Sequence, residues 1–222
     1  MDISSISLDS FYESLKGIIS PPLQQIEKVV EEPIVLEAVK EFSYWFSKAL
    51  GWSFKGDIPK EITRAVVIVA PHTSTWDFVY GMAAYRYYKD MKGYYLAKKE
   101  LFSGPLKFLY SKTGGIPVDR SASHNMVDEV AEFFKNKSSF FLTLAPEGTR
   151  SKTKRWKSGF YRIALKANVP ILLAYLDYDK KEAGIGKVIY PSGNYEEDAK
   201  LIEDFYKNVS PKNKENWSWK LL

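Results

Sequence analysis

Apolar, β-branched segments alternate with amphipathic segments along this chain, and that alternation limits the folds open to it. Residues 65–70 form a continuous apolar run of strand length, which is typical of a strand covered on both faces. A second such run, residues 139–145, follows a segment with helical periodicity that starts near Ser123. We therefore predict a single α/β domain with a central, mostly parallel or mixed sheet flanked by helices.

The other predicted elements continue the alternation. Further strands are predicted at 94–97, 116–118, 170–176 and 187–190, and further helices at 76–89, 100–112 (broken at Gly104-Pro105), 158–168 and 196–209. We predict three parts: a helical N-terminal extension over residues 1–50, a main domain over 51–210 and a C-terminal tail over 211–222. Because ligands of such sheets bind at the carboxyl ends of the strands, we expect the functional residues to lie there.

His72 and Asp77 follow the first apolar run and are separated by four residues. On a continuous α-helix this spacing leaves two side chains roughly 140° apart, so they would not meet on one face. His72 must therefore precede the following helix, for which Ser74 or Thr75 can supply the N-cap. An imidazole oriented by a carboxylate is a suitable general base for a hydroxyl proton.

A second polar motif, Glu147-Gly148-Thr149-Arg150, follows the second apolar run. A guanidinium in a glycine-containing turn is suited to binding phosphate through paired N–H donors. Gly148 is expected to allow a close backbone approach or a positive φ. Glu147 is open to three interpretations, as a second base, as a ligand for acceptor hydroxyls or as a residue that only caps the turn, and we favour binding.

These two motifs, in this order, resemble those of the glycerolipid acyltransferase family. Two weaker family blocks match residues 115–120, which end in Arg120, and residues 169–173. The resemblance implies that His72 and Asp77 are catalytic. It also implies a set of substrate-binding residues: Glu147, Gly148, Thr149, Arg150, Arg120 and Gly115.

The resemblance further implies an O-acyltransferase. The acyl donor would be acyl-CoA or acyl carrier protein, and the acceptor a lysophospholipid such as 1-acyl-glycerol 3-phosphate. No acyl-enzyme is expected, since the chain has no cysteine and no serine in a nucleophile elbow. Three alternatives stay open: an amino-acid lysolipid as acceptor, hydrolysis of the thioester, and a lipid-binding protein without activity.

Charge and composition point to an anionic partner. The net charge is +5, and basic residues are concentrated just after Arg150, where they could contact an anionic membrane surface or only form a solvated loop. Nucleic acid is not predicted, because no nucleic-acid motif occurs. With no cysteine and two histidines, we predict no metal site and no cofactor.

The predicted location is the cytoplasmic face of a membrane, as a peripheral protein. No apolar run approaches the ~18–20 residues needed to span a bilayer, and residues 1–30 do not resemble a secretory signal. An apolar stripe at helical spacing could face lipid or the core: Val35, Val39, Phe42, Trp45, Phe46, Ala49 and Leu50. The tail residues 217–222 are either an interfacial anchor or a frayed end, and we favour the frayed end.

Overall fold

The computed structural model describes residues 33–89, 91, 93–118 and 126–222. The helices are α1 (Pro33–Ala49), α2 (Trp76–Tyr87), α3 (Lys107–Lys112), α4 (Met126–Lys135), α5 (Gly159–Ala167) and α6 (Tyr195–Tyr206). The strands are β1 (Ser53–Lys55), β2 (Arg64–Ala70), β3 (Gly93–Lys98), β4 (Gly115–Val118), β5 (Phe140–Leu144), β6 (Ile171–Asp177) and β7 (Glu182–Ile189). Short 3₁₀ turns cover Lys99–Phe102 and Lys214–Asn216.

The strands described form one seven-stranded sheet in the order β1-β7-β6-β2-β5-β3-β4. The five strands from β6 to β4 are parallel, whereas β7 runs antiparallel to β6. Strand β2 lies near the centre between β5 and β6, and its residues are almost all buried. The α/β prediction with a mixed sheet is confirmed.

Helices cover both faces of this sheet. On one face, α2 contacts β6 and β7, and the rings of Trp52 and Tyr80 pack together there. On the other face, α4, α5 and α6 contribute Phe134, Phe160 and Tyr206 to the largest buried cluster. Burial on both faces is what a continuous apolar strand such as β2 requires, since neither set of its side chains can face water.

Two features of the sheet edge were not predicted from sequence. Strand β1 has only three residues, too few to show a period, and β7 begins five residues before its predicted start. Gly184 accounts for the missed start of β7, because a Cβ there would lie 2.1 Å from the backbone oxygen of Lys55. Glycine permits this approach of β1 to β7 but weakens the strand signal in the sequence.

Helix α1 presents its aromatic residues differently from a core helix. It contacts α2, and its buried side chains are Lys40, Ser43 and Ser47. Phe42 and Trp45 are 70% and 64% exposed. The stripe predicted from helical spacing is therefore not simply a core face.

The C-terminal tail is docked onto the main domain, so the predicted frayed end is wrong. Trp217 and Leu221 are buried. The Trp156 indole donates a hydrogen bond to the backbone oxygen of Ser218 at 2.7 Å, and Glu203 accepts one from the Leu221 backbone N–H at 2.6 Å. Apolar burial and these bonds together compensate the entropy of ordering the tail.

Candidate active site

Three adjacent parallel strands end at the candidate site. In the order β6, β2, β5 they lead into Tyr178, His72 and Glu147. The register pairs Ile68 of β2 with Leu144 of β5, so the two motifs emerge side by side. The expectation that both motifs lie at the carboxyl edge of the sheet is therefore met.

His72 and Asp77 face each other across the loop between β2 and α2. The His72 Nδ1 lies 3.2 Å from the Asp77 Oδ2. Asp77 is buried, whereas the His72 side chain is 28% exposed. This pairing occupies the Nδ1 side of the ring and leaves Nε2 available to a ligand.

The turn that creates this pairing is a helix cap. The Asp77 Oδ2 also accepts a hydrogen bond from the Ser74 backbone N–H at 2.9 Å, and the Ser74 hydroxyl accepts one from the Trp76 N–H at 3.2 Å. Thr75, at the cap position, makes no side-chain cap bond, so Ser74 is the capping side chain. The reciprocal bonds resemble a capping box, with Asp77 three residues after Ser74. Capping thus places the carboxylate where His72 can reach it.

The second oxygen of Asp77 is also occupied. The Tyr178 hydroxyl donates to the Asp77 Oδ1 at 2.5 Å, over a separation of 101 residues. From the same side, Asn213 donates two hydrogen bonds to Thr73, one to its backbone oxygen at 2.7 Å and one to its hydroxyl at 3.2 Å. The loop from 72 to 77 is therefore held from outside as well as by its own cap.

Glu147 connects the two motifs. Its carboxyl accepts a hydrogen bond from the His72 backbone N–H at 2.7 Å, and the residue is only 3% exposed. Burial, and more weakly the neighbouring charge of Asp77, raises the pKa of Glu147 to about 8. Glu147 is therefore mostly neutral at pH 7, and it is hydrogen-bonded to the backbone of the candidate base.

The turn that follows Glu147 is anchored at both ends and exposed between them. Gly148 has a φ of +68°, as predicted, and its N–H donates to the Ala145 oxygen at 3.0 Å. The Lys157 N–H donates to the Pro146 oxygen at 2.9 Å. Arg150 is exposed, and within the described residues its guanidinium makes no hydrogen bond or ion pair, which leaves its donors available to a ligand.

Of the predicted binding set, Gly115 lies away from the site, and the position of Arg120 is not tested. Gly115 opens β4 and is buried, and a Cβ there would lie 2.6 Å from the Tyr110 backbone oxygen. Close packing against this backbone therefore explains why the residue is a glycine. Arg120 lies outside the described residues, as does His124.

A cavity of about 1300 Å³ opens at the paired residues His72 and Asp77. Its walls are predominantly apolar and include Met82 and Tyr85 of α2 and Val69 of β2. Gly148, Thr149 and Arg150 also line it. Among the described lining residues Asp77 alone is acidic, whereas five are basic: Lys98, Arg150, Arg155, Lys157 and Arg162. An apolar cavity with a cationic rim suits an amphiphilic anion.

The region that carries these features, residues 53–175, matches the family described as Acyltransferase. This chain belongs to that family. It is an acyltransferase, which confirms the resemblance seen in the two motifs. No protein of curated function matches the sequence significantly.

A solved structure supports the fold of this acyltransferase. It is the 1-acyl-sn-glycerophosphate (LPA) acyltransferase PlsC from Thermotoga maritima. The two chains are 23% identical, with a TM-score of 0.55, and the match covers 90% of this chain and 85% of the other. At this identity the likeness concerns the fold.

Sequence reasoning missed Tyr178 and Asn213. Both lie beyond the family match, which ends at residue 175. The position of Tyr178 immediately after a predicted parallel strand was the one available signal, because such positions point to the functional edge of the sheet. Asn213 had no comparable signal, since it lies in an irregular segment.

The described residues contain no group of three or more acidic or histidine side chains placed to hold a metal ion. No described helix is long and apolar enough to cross a bilayer.

Proposed function

We propose that this acyltransferase moves a fatty acyl group from an acyl thioester, acyl-CoA or acyl carrier protein, to the hydroxyl of a lysophospholipid. The acceptor that fits best is 1-acyl-glycerol 3-phosphate. The main support for the proposal is that three features meet at one cavity. They are the His72–Asp77 pair, an apolar wall and a cationic rim. A lysophosphatidate offers a hydroxyl, an acyl chain and a phosphate to these three features.

His72 acts as the general base. Its Nε2 takes the proton of the acceptor hydroxyl while the oxygen attacks the thioester carbonyl carbon. The tetrahedral intermediate then collapses, the carbon–sulfur bond breaks, and the thiol leaves with the proton that His72 returns. Asp77 holds the ring in the tautomer with the proton on Nδ1 and stabilises the imidazolium that forms.

Arg150 binds the acceptor phosphate, together with Arg120 from the segment outside the described residues. Three properties of Arg150 support this role: it is exposed, it lines the cavity, and its guanidinium makes no competing bond among the described residues. Gly148 and Thr149 shape the turn, since Thr149 accepts a hydrogen bond from the Ser151 N–H at 3.2 Å. Glu147 supports the loop of His72 from below instead of contacting acceptor hydroxyls.

The experiment is an acceptor panel with radiolabelled acyl-CoA and labelled acyl carrier protein. The panel compares 1-acyl-glycerol 3-phosphate, glycerol 3-phosphate, lysophosphatidylcholine and an amine-bearing lysolipid, with His72→Ala as control. We expect labelled phosphatidate from the first acceptor and none from the His72 variant. Free fatty acid alone would show a thioesterase, the amine-bearing lysolipid as best acceptor would show a different substrate class, and no product at all would show a binding protein.

We also propose that the protein works as a peripheral protein on an anionic membrane surface. The exposed rings on α1 continue to the active-site loop, because Phe42 stacks on Phe46 at 5.8 Å between ring centres and Phe46 on Trp76 at 6.0 Å. The Lys212 ammonium lies 5.1 Å from the Trp76 ring centre. Aromatic side chains beside basic ones suit the boundary between head groups and acyl chains.

Vesicle co-sedimentation tests this surface with the double variant Phe42→Ser/Trp45→Ser. We expect binding to vesicles of phosphatidylglycerol and phosphatidylcholine to fall several-fold while the melting temperature stays near that of the wild type. The matched control is Leu165→Ser/Leu201→Ser, which removes two exposed leucines from α5 and α6 on the other face of the sheet. Equal losses in both double variants, or none in either, would contradict a specific role for α1.

A further inference from the structure

Tyr178 lies at the exit of β6, beside the exit of β2 that leads to His72. The two strands are paired in parallel, with Ala70 opposite Tyr175. Tyr178 therefore reaches the loop of His72 from a neighbouring strand, in the same way that Glu147 reaches it from β5 on the other side.

The contacts of Asp77 divide between its two oxygens. Oδ2 accepts from the Ser74 N–H at 2.9 Å and lies 3.2 Å from the His72 Nδ1. Oδ1 accepts from the Tyr178 hydroxyl at 2.5 Å. A carboxylate bound at one oxygen can still turn about its χ2 torsion, which is soft for aspartate. A donor on the other oxygen restricts that rotation.

The ring of Tyr178 is itself held in place. It meets Trp52 edge to face at 5.1 Å and Tyr80 at 5.6 Å, and these two rings stack on each other at 3.8 Å. The Tyr178 backbone N–H donates to the Ser210 oxygen at 2.9 Å. Burial, together with the adjacent Asp77 charge, raises the pKa of Tyr178, so its hydroxyl stays a donor at neutral pH.

We propose that Tyr178 is a positioning residue for acyl transfer, whose hydroxyl fixes Asp77 in the orientation that directs Oδ2 to His72. It touches neither the substrate nor the reacting atoms in this role. The inference rests on the proposed function of His72 as the base. It extends the site to a residue outside the region that the family match covers, residues 53–175.

Tyr178→Phe tests this directly, because it removes the hydroxyl and keeps the ring that packs on Trp52 and Tyr80. A hydrogen bond to a charged group is stronger than one between neutral groups, so we expect its loss to lower kcat about 10-fold to 100-fold. The KM values for donor and acceptor should stay within about two-fold, since neither substrate contacts the lost hydroxyl. The matched control is Tyr80→Phe, which alters the same aromatic cluster and leaves the bond to Asp77 intact; its kcat should remain near that of the wild type.

A double-mutant cycle separates positioning from packing. If Tyr178 acts through Asp77, then Tyr178→Phe should cost less than about three-fold in kcat in an Asp77→Asn background. Nitrogen NMR of the histidine rings adds a direct readout. The chain has two histidines, so the signal of His72 is assigned by its loss in His72→Ala, and Tyr178→Phe should shift the ring away from the Nδ1–H tautomer.

Three outcomes would overturn the proposal. One is a Tyr178→Phe variant with the kcat of Tyr80→Phe, and another is an equal loss with Asp77 present or replaced. The third is a Tyr178→Phe variant that does not fold, since the hydroxyl would then be needed for the fold and not for positioning. The proposed function fails separately, when the wild type transfers no acyl group or His72→Ala remains active.

Discussion

The two halves of the candidate active site differ in how firmly their residues are held. The loop from 72 to 77 is tied by Glu147, Tyr178 and Asn213, each from a different part of the chain. The turn from 150 to 155 is fastened near its ends, through Gly148 and Trp156, and its basic side chains are exposed. The half that would move a proton is rigidly positioned, and the half that would bind the acceptor is solvated and free to adjust.

This difference has a physical reason. Proton transfer and attack depend on sub-ångström geometry, so misplacement of the base is costly. Binding of a phosphate by several cations depends mainly on charge and tolerates small displacements. We therefore expect changes in the loop to reduce kcat and changes in the turn to raise the acceptor KM.

The largest effect is expected at the dyad. His72→Ala should reduce kcat by at least about 10²–10⁴-fold, the usual contribution of a general base. Asp77→Asn should lose less, because the base remains and only its orientation and charge stabilisation suffer. Steady-state kinetics and acyl-donor binding would be measured together, with unchanged donor affinity as the sign of an intact fold. A folded His72→Ala protein within a few-fold of the wild-type rate would contradict the mechanism.

The second effect concerns Glu147 and the pH dependence of stability. Its pKa is about 8 in the folded protein, against an ordinary value of 4.5 in the unfolded chain. The folded state therefore binds the proton more tightly than the unfolded state does. The contribution of this proton to the free energy of unfolding is complete below about pH 4.5 and is lost as the pH rises through about 8.

Glu147→Gln should flatten that dependence, since glutamine keeps an acceptor for the His72 N–H and does not ionise. Urea unfolding from about pH 5 to about pH 9 would measure it, taking the difference between wild type and variant at each pH. We expect the variant to gain stability relative to the wild type as the pH rises. Parallel curves would show that the carboxyl does not titrate with a raised pKa.

The smallest of these effects is expected in the exposed turn. Arg150→Lys keeps the charge but loses the planar pair of donors, so the acceptor KM should rise about ten-fold with little change in kcat or in donor KM. The control Lys154→Ala removes a charge from the same turn at a residue that does not line the cavity, and it should change the acceptor KM less. Equal effects for acceptors with and without phosphate would contradict a phosphate-binding role for Arg150.

Much of the fold and of the dyad could be predicted from sequence because the signals are local. The apolar run of β2 and the capping residue Ser74 lie next to His72 and Asp77, so strand, turn and helix together dictate that the two side chains meet. The positive φ of Gly148 follows from local turn chemistry in the same way.

The exposed face of α1 and the docked tail could not be predicted in this way. Helical spacing showed that α1 has an apolar stripe, but the side chains that are buried in α1, beside α2, are Lys40, Ser43 and Ser47. Which side of a helix is buried depends on its neighbour and not on its own period. The tail likewise has apolar residues whose burial depends on a partner surface near Trp156.

The sequence by itself determined the chemistry available to this acyltransferase, namely an imidazole with its carboxylate and a basic turn, each at the end of a strand. The tertiary structure decided what surrounds that chemistry. Glu147 and Tyr178 lie 75 and 101 residues from their partners in the loop, and only the strand order β6-β2-β5 brings them there. Strand order arises from the packing of the whole sheet, which cannot be deduced from local periodicity. The same packing removes water from Glu147 and so raises its pKa.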